Sequence, residues 1–267
     1  MLTKSTEYRV RIEKNLAYKT GAGLSPYEQE CCKLDLYLPE NITAFPTIVW
    51  LHGGGMEGGC KDGESIMAKY FASRGIAVAP VEYRLSPQAT YPAYVDDAAA
   101  SVAWVLKHIA DYSGSARSVF IAGHSAGGYL TAIISMDPSY LAKYGVQLTD
   151  IAGTIPMSGQ MFTHFTIRKE RGIPDPWNTP TIDEAAPCYH VHQEPPPLLA
   201  MCGDHDIPAR AEENRYFITM LQSLGHMQTE YREFADRDHG TILDKIPETD
   251  DPVAQAILEF IDQHARK

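Results

Sequence analysis

The sequence predicts a single α/β domain, residues 1–267, built on a mostly parallel sheet with helices on its faces. Three observations carry that expectation. Short continuous apolar runs recur along the chain, as strands covered on both faces require. Segments of helical period separate them, and alternating strand and helix argue for parallel pairing. The 267 residues suffice for one large core, with no internal repeat or low-complexity tract to divide them.

In chain order, residues 8–17 and 32–38 (CKLDLYL) alternate apolar and polar side chains, which predicts strands with one wet face near a sheet edge; Pro39 closes the second. Residues 47–51 (TIVWL) read as a buried strand that runs into His52-Gly53-Gly54-Gly55-Met56-Glu57-Gly58-Gly59. So much glycine after a core strand means that backbone is wanted at close range. Residues 65–74 are helical up to Gly75, and 76–81 (IAVAPV) form the next buried strand, followed by Glu82-Tyr83-Arg84-Leu85-Ser86-Pro87. A long helix over 92–110 presents Val95, Ala99, Val102, Val105, Leu106 and Ile109 on one face. Asp96 and Asp97 lie in its first turn, where carboxylates suit the positive end of the helix dipole, and they read as structural.

Residues 118–134 (SVFIAGHSAGGYLTAII) form the centre of the chain. Val119, Phe120, Ile121 and Ala122 predict a core strand, Gly123 ends it, and a helix starts straight after Ser125 over residues 126–135. In G-x-S-x-G the serine takes strained backbone angles so that its hydroxyl stands clear, and glycines two residues either side avoid collisions. The helix that follows aims its N-terminal amides above Ser125, where they favour an oxyanion. The motif alone is short enough to arise by chance.

Residues 151–157 read as another strand, after which 158–197 lose all period, with prolines scattered among Phe162, Phe165, Trp177 and Tyr189. The aromatics favour a folded lid over disorder. His164, His190, His192 and Cys188 fall there without a metal-site spacing, so no metal is expected. A strand over 198–201 then leads to Cys202-Gly203-Asp204-His205-Asp206, a helix spans 210–224, a strand over 229–234 leads to Arg237-Asp238-His239-Gly240, and a closing helix covers 253–264.

Charge and cysteines bound the partners. Lys plus Arg number 23 against 34 Asp plus Glu, a formal net charge of −11, which leaves no basic surplus for nucleic acid. There is no apolar run long enough to span a bilayer, so no membrane partner is expected, and the N-terminal residues do not resemble a signal peptide. The expectation is a soluble cytoplasmic protein, with secretion left open should a signal have been trimmed. Of five cysteines, Cys31 and Cys32 are adjacent and Cys60, Cys188 and Cys202 leave an odd count, so free thiols are expected. None has a base-bearing motif that would make it the nucleophile.

Serine, acid and histidine, each just past a strand and 81 and 33 residues apart, follow the order of one Ser-His-Asp arrangement. Ser125 needs an imidazole to take its proton, and His239 is the histidine on a loop after the last strand. His124 points elsewhere from the strained turn and reads as a packing or local hydrogen-bonding residue. The carboxylate that holds the imidazole is Asp204 or Asp206.

His52-Gly53-Gly54-Gly55, Tyr83-Arg84-Leu85-Ser86-Pro87, Gly123-His124-Ser125-Ala126-Gly127-Gly128, Asp206 and His239-Gly240 together resemble the α/β-hydrolase esterases of the hormone-sensitive-lipase type and the related BD-FAE-like acetyl and feruloyl esterases. The resemblance covers the chain from about residue 30 to the C-terminus. It implies an α/β-hydrolase fold with an eight-stranded, mostly parallel sheet and hydrolysis of small-molecule carboxylic esters without a cofactor. It also implies Asp206 as the acid and an oxyanion hole from the amides of Gly54, Gly55 and Ala126. Three departures mark this chain: Met56-Glu57 replaces an aromatic or aliphatic pair, His124 stands where lipase-type members usually have Asp, and Asp206-Ile207-Pro208 lacks the fuller Asp-Pro-Leu-x-Asp-Glu signature. They point to the acetyl or feruloyl side. An arylformamidase would use the same triad on an N-formyl group, and a silent receptor of this fold would be expected to lack the serine or the histidine.

The 158–197 connection leaves the sheet after the strand beyond the elbow and returns before the acid loop, so it is expected to roof the site. Phe162, Phe165, Trp177 and Tyr189 would line the roof, admitting acetyl to butyryl groups and rejecting long chains. The alternative is that these aromatics only pin the loop to the body. The oligomeric state is left open, a homodimer being the candidate assembly.

Overall fold

The computed structural model describes residues 7–266; the first six, part of the stretch read for a leader, lie outside the described residues. The described residues form eight strands: β1 (Val10–Ala17), β2 (Lys33–Pro39), β3 (Phe45–Leu51), β4 (Ala77–Val81), β5 (Gly114–His124), β6 (Gly153–Met157), β7 (Leu198–His205) and β8 (Thr229–Asp238). The helices are α1 (Pro26–Cys31), α2 (Ser65–Ala72), α3 (Ala93–His108), α4 (Ala126–Met136), α5 (Pro138–Ala142), α6 (Phe165–Glu170), α7 (Arg210–Ser223), α8 (Thr241–Asp244) and α9 (Pro252–His264).

One sheet takes the order β1-β2-β4-β3-β5-β6-β7-β8. From β4 through β8 every pairing is parallel, while β1 on β2 and β2 on β4 are antiparallel. Strand alternation divides the central residues between two cores. Val49, Leu51, Val119 and Ile121 face α3 and α4, whereas Ile48, Trp50 and Phe120 face α2 and α9. A third cluster seats Phe217, Ile218 and Leu221 of α7 against Leu198 and Ala200 of β7 and Ala132 and Met136 of α4. With both faces covered, the middles of the central strands, such as residues 48–51 and 119–122, are apolar, as the continuous runs predict.

The wet face expected for β2 is absent. Only Lys33 keeps some exposure, and the polar residue taken as its solvent mark, Asp35, is fully buried. The Asp35 carboxylate meets Lys14 Nζ at 2.6 Å and Lys61 Nζ at 2.9 Å and accepts the Asn15 amide at 2.8 Å. A buried carboxylate survives only when paired in this way, so the alternation records an internal ion cluster rather than an exposed face. Asp97 has a similar part. It is buried, takes Arg84 Nε at 2.7 Å and Nη2 at 2.8 Å together with Lys19 Nζ at 2.7 Å, and so ties the end of β4 to α3.

Residues 158–197 form an ordered arm containing α6 and a single 3-10 turn, Pro187–His190. Backbone bonds from Thr163 to Thr181 and from Cys188 to Met161 fold it on itself. Glu213 of α7 accepts the amides of Met161 at 2.7 Å and Phe162 at 2.5 Å, which fastens the arm to the body. Among the described residues no helix is long and apolar enough to cross a membrane.

Candidate active site

The carboxyl ends of β3, β5, β6 and β7 bring the predicted residues to one edge of the sheet. β5 ends at His124, and Ser125 follows with φ 57° and ψ −115°, angles that L side chains rarely adopt. The Ser125 amide bonds to Met157 O at 2.9 Å and its carbonyl accepts from Tyr129 at 3.0 Å, so a strand on one side and a helix on the other hold the strained residue. The flanking glycines are required by space. A Cβ on Gly127 would lie 1.8 Å from Leu51 O, and one on Gly123 would lie 2.5 Å from Gly127 O. Backbone cannot retreat from such contacts, so the elbow exists only with glycine there.

His239 lies on the connection after β8. Its Nε2 is 2.8 Å from Ser125 Oγ and its Nδ1 is 2.7 Å from Asp206 Oδ1. An ionised carboxylate only accepts, so Nδ1 carries the proton and Nε2 is left bare toward the serine hydroxyl. Burial alone would raise the Asp206 carboxyl, but hydrogen bonds from His239 and from Ser158 Oγ (2.5 Å), with the Ile207 amide at 2.7 Å, outweigh it and hold Asp206 below the usual carboxylate range. Asp204, the other candidate, turns away: it accepts the Arg237 amide at 3.2 Å and sits 2.9 Å from His205 Nδ1.

His124 does not share the serine. Its Nε2 stands 2.6 Å from the His239 carbonyl, which only accepts, so Nε2 carries the proton and the ring anchors the His239 loop from beneath. Burial first, and the His239 ring after it, push the His124 imidazole down to about 3, so it stays neutral. This is the local hydrogen-bonding part read from the sequence.

The glycine loop reaches the same point from β3. Gly54 has φ 109°, and a Cβ on it would lie 2.2 Å from Gly58 O, which closes the turn to any other residue. Among the described residues the Gly54 and Gly55 amides donate to no backbone acceptor, and Ala126, the first residue of α4, has no intrahelical acceptor. The Tyr83-Arg84-Leu85-Ser86-Pro87 stretch supports this loop. Tyr83 stacks on His52 at 4.2 Å and donates to the His52 carbonyl at 2.8 Å, while the Ser86 amide bonds to Met56 O at 2.7 Å.

A cavity of about 630 Å³ opens beside Ser125 and His239, with the glycine loop on one side and Phe165, Trp177, Ile207 and Arg210 on the other. Phe165 and Trp177 stack at 3.7 Å and 17°. Lys169 of α6 crosses the rim to Glu57 at 2.6 Å, and Thr166 Oγ1 donates to the Gly55 carbonyl. Two of the four aromatics assigned to the roof are elsewhere. Phe162 sets its edge against Tyr216 of α7, and Tyr189 is 61% exposed beside His190. Their chain neighbours explain it: the Phe162 amide is drawn to Glu213, and Tyr189 lies in the 3-10 turn on the outer side of the arm.

Among the described residues no cluster of His, Cys, Asp and Glu is placed to hold a metal ion. His164 caps α6, accepting the Thr166 amide at 3.2 Å, and His190 Nε2 lies 2.8 Å from the Glu184 carbonyl. The five cysteines are all free. Sequence reasoning missed Ser158, the second partner of Asp206, and Arg210, whose Nη1 donates to the Ser158 carbonyl. Neither sits in a motif; only the fold brings them under the acid.

Residues 34–144 match the BD-FAE family model. The chain is 28% identical over 204 residues to esterase LipQ of Mycobacterium tuberculosis, covering 68% of this chain and 46% of that protein. It is 36% identical over 106 residues to the probable isoprenylcysteine alpha-carbonyl methylesterase ICMEL1 of Oryza sativa, covering 39% of this chain and 25% of that protein. The chain spans about half the length of the first curated relatives it matches. Among solved structures, a truncated carbohydrate esterase from gut microbiota superposes with a TM-score of 0.77 at 19% identity over 99% of each chain. The chain therefore has the α/β-hydrolase fold and, over residues 34–144, is similar to the BD-FAE family.

Proposed function

We propose that the chain hydrolyses short-acyl carboxylic esters through an acyl-enzyme on Ser125. The observation that carries this reading is the unbroken relay from Ser125 Oγ through His239 to Asp206, at 2.8 and 2.7 Å, on a serine held in the elbow conformation. His239 Nε2 takes the Ser125 proton as Oγ attacks the ester carbonyl carbon. The Gly54, Gly55 and Ala126 amides stabilise the oxyanion, and the same proton then goes to the leaving alcohol. Water repeats the sequence on the acyl-enzyme and releases the acid. Asp206 stays ionised and steadies the imidazolium.

The finer substrate reading is an acetyl-to-butyryl ester of an aryl or sugar alcohol, supported by the Phe165–Trp177 stack over the cavity. An N-formyl amide would meet the same groups and is the second reading. Organophosphate treatment tests the nucleophile: a single adduct on Ser125 is expected, with Ser125→Ala losing orders of magnitude in kcat. A label elsewhere, or an active alanine variant, overturns the assignment. Comparing matched acetyl, feruloyl and N-formyl substrates then separates ester from amide chemistry.

A further inference from the structure

A second cavity of about 540 Å³ adjoins the first, and Trp177, Ile207 and Arg210 line both. Its walls hold two arginines that are almost wholly buried, Arg168 at 3% and Arg210 at 5% exposure. Among the described residues neither guanidinium has a carboxylate within 4 Å. Arg168 Nη1 donates to the Thr179 carbonyl and Arg210 Nη1 to the Ser158 carbonyl, while Arg168 Nε is buried without a partner. Glu213 lines the same cavity, half-buried, and its Oε1 is already committed to the Met161 and Phe162 amides. Glu212 faces the same cavity from its exposed rim, 3.6 Å from Arg215, and Asp175 is engaged by Asn178 at 3.0 Å.

Glu213 and Asp175 act on Arg168 from a distance, and Asp206 lies beyond Ser158 from Arg210, so both buried cations stand near carboxylates but without one in direct contact. Burial first weakens Arg168's hold on its proton; Glu213 opposes this and the Arg210 charge adds to it. A buried guanidinium is retained where an acceptor of opposite charge completes it, since an isolated buried charge is costly, and Arg168 Nε has no such acceptor within the protein.

We infer that this side cavity is an anion subsite that selects esters bearing a free carboxylate, bound by Arg168 and Arg210. The inference rests on Ser125 being the nucleophile for the ester end. It names the substrate class for which the cavity is built: a compact ester with one end short enough for the Phe165–Trp177 side and a carboxylate reaching past Trp177.

Calorimetry on the full-length Ser125→Ala protein tests this without turnover, using matched ester pairs. 4-Nitrophenyl hemiglutarate against 4-nitrophenyl pentanoate places the acid on the acyl side; 4-acetoxybenzoate against phenyl acetate places it on the alcohol side. At least one acidic probe should bind about tenfold or more tighter than its neutral partner. That ratio should fall to about one when Arg168→Gln or Arg210→Gln is added, and rising salt should lower it. Acidic probes that bind no better than neutral ones, or a preference that survives both arginine substitutions, overturn the inference. If wild-type protein turns over neutral esters while neither binding nor turnover favours the acids, this inference falls and the esterase reading stands. If the acids bind preferentially but no ester is turned over, the esterase reading falls instead.

Discussion

The wall of the Ser125 cavity formed by the elbow and the glycine loop is made of backbone, whereas the facing wall is made of side chains. On the first wall, the Gly54 and Gly55 amides have no backbone acceptor among the described residues, and glycine is imposed by contacts as short as 1.8 and 2.2 Å to backbone oxygen. On the second, Phe165, Trp177, Ile207 and Arg210 come from the 158–197 arm and the loop and helix after β7. Backbone placed by a sheet fixes where charge can develop and leaves few alternatives in sequence. A wall of side chains tolerates exchange and is where one hydrolase of this fold can differ from another.

The largest expected effect tests the relay that joins the walls. Asp206→Asn should lower kcat/KM roughly 1,000- to 10,000-fold, because an amide cannot hold the His239 tautomer that leaves Nε2 free. Asp204→Asn should cost only about threefold, since Asp204 serves the Arg237 amide and His205. A larger loss at Asp204 would assign the acid wrongly and would move the relay off the geometry at His239.

The same division explains what the sequence revealed. Gly123, Gly127 and Gly54 were readable because steric contact with backbone leaves one residue type, and the order of strands was readable because doubly covered strands must be apolar. Asp35 misled, since a polar residue in a strand looks the same whether it meets water or two lysines. Phe162 and Tyr189 were placed at the site because aromatics in an aperiodic arm carry no sign of direction; Glu213 and the 3-10 turn set it. Ser158 and Arg210 had no local pattern at all, their roles arising from β6 and α7 meeting beneath Asp206.

His124 has its backbone in the elbow and its ring on the His239 carbonyl, and it links the site to acid stability. Its folded value of about 3 lies below the ordinary histidine value near 6.5. The unfolded chain therefore takes a proton that the folded chain refuses as pH falls below about 6.5, and stability drops with acidification down to about 3, by up to about 1.4 kcal/mol per pH unit. His164, buried and pushed down likewise, acts in the same direction. His124→Gln keeps an amide N–H for the His239 carbonyl and removes the titration, so denaturant unfolding between about pH 6.5 and pH 4 should lose about one proton of dependence. An unchanged acid limb would mean that burial does not hold the ring neutral in the folded chain.

The smallest effect concerns selection alone. Trp177 is 56% exposed, stacks on Phe165 and lines the cavity, a position where removal should alter fit more than folding. If the stack forms the ceiling, kcat/KM along a p-nitrophenyl ester series of about two to twelve carbons should peak at butyryl or shorter. Each methylene beyond that point would clash with the aromatic ceiling and so forfeit about 0.8 kcal/mol that its burial would otherwise contribute. Trp177→Ala opens the side toward Ile207 and Arg210, so the octanoyl-to-butyryl ratio should rise about tenfold, with acetyl turnover changing by less than about threefold. A maximum at eight carbons or more in the unaltered protein would show an open groove. An unmoved profile in the variant would show that the side-chain wall does not set acyl length, and the burden of selection would pass to the glycine loop.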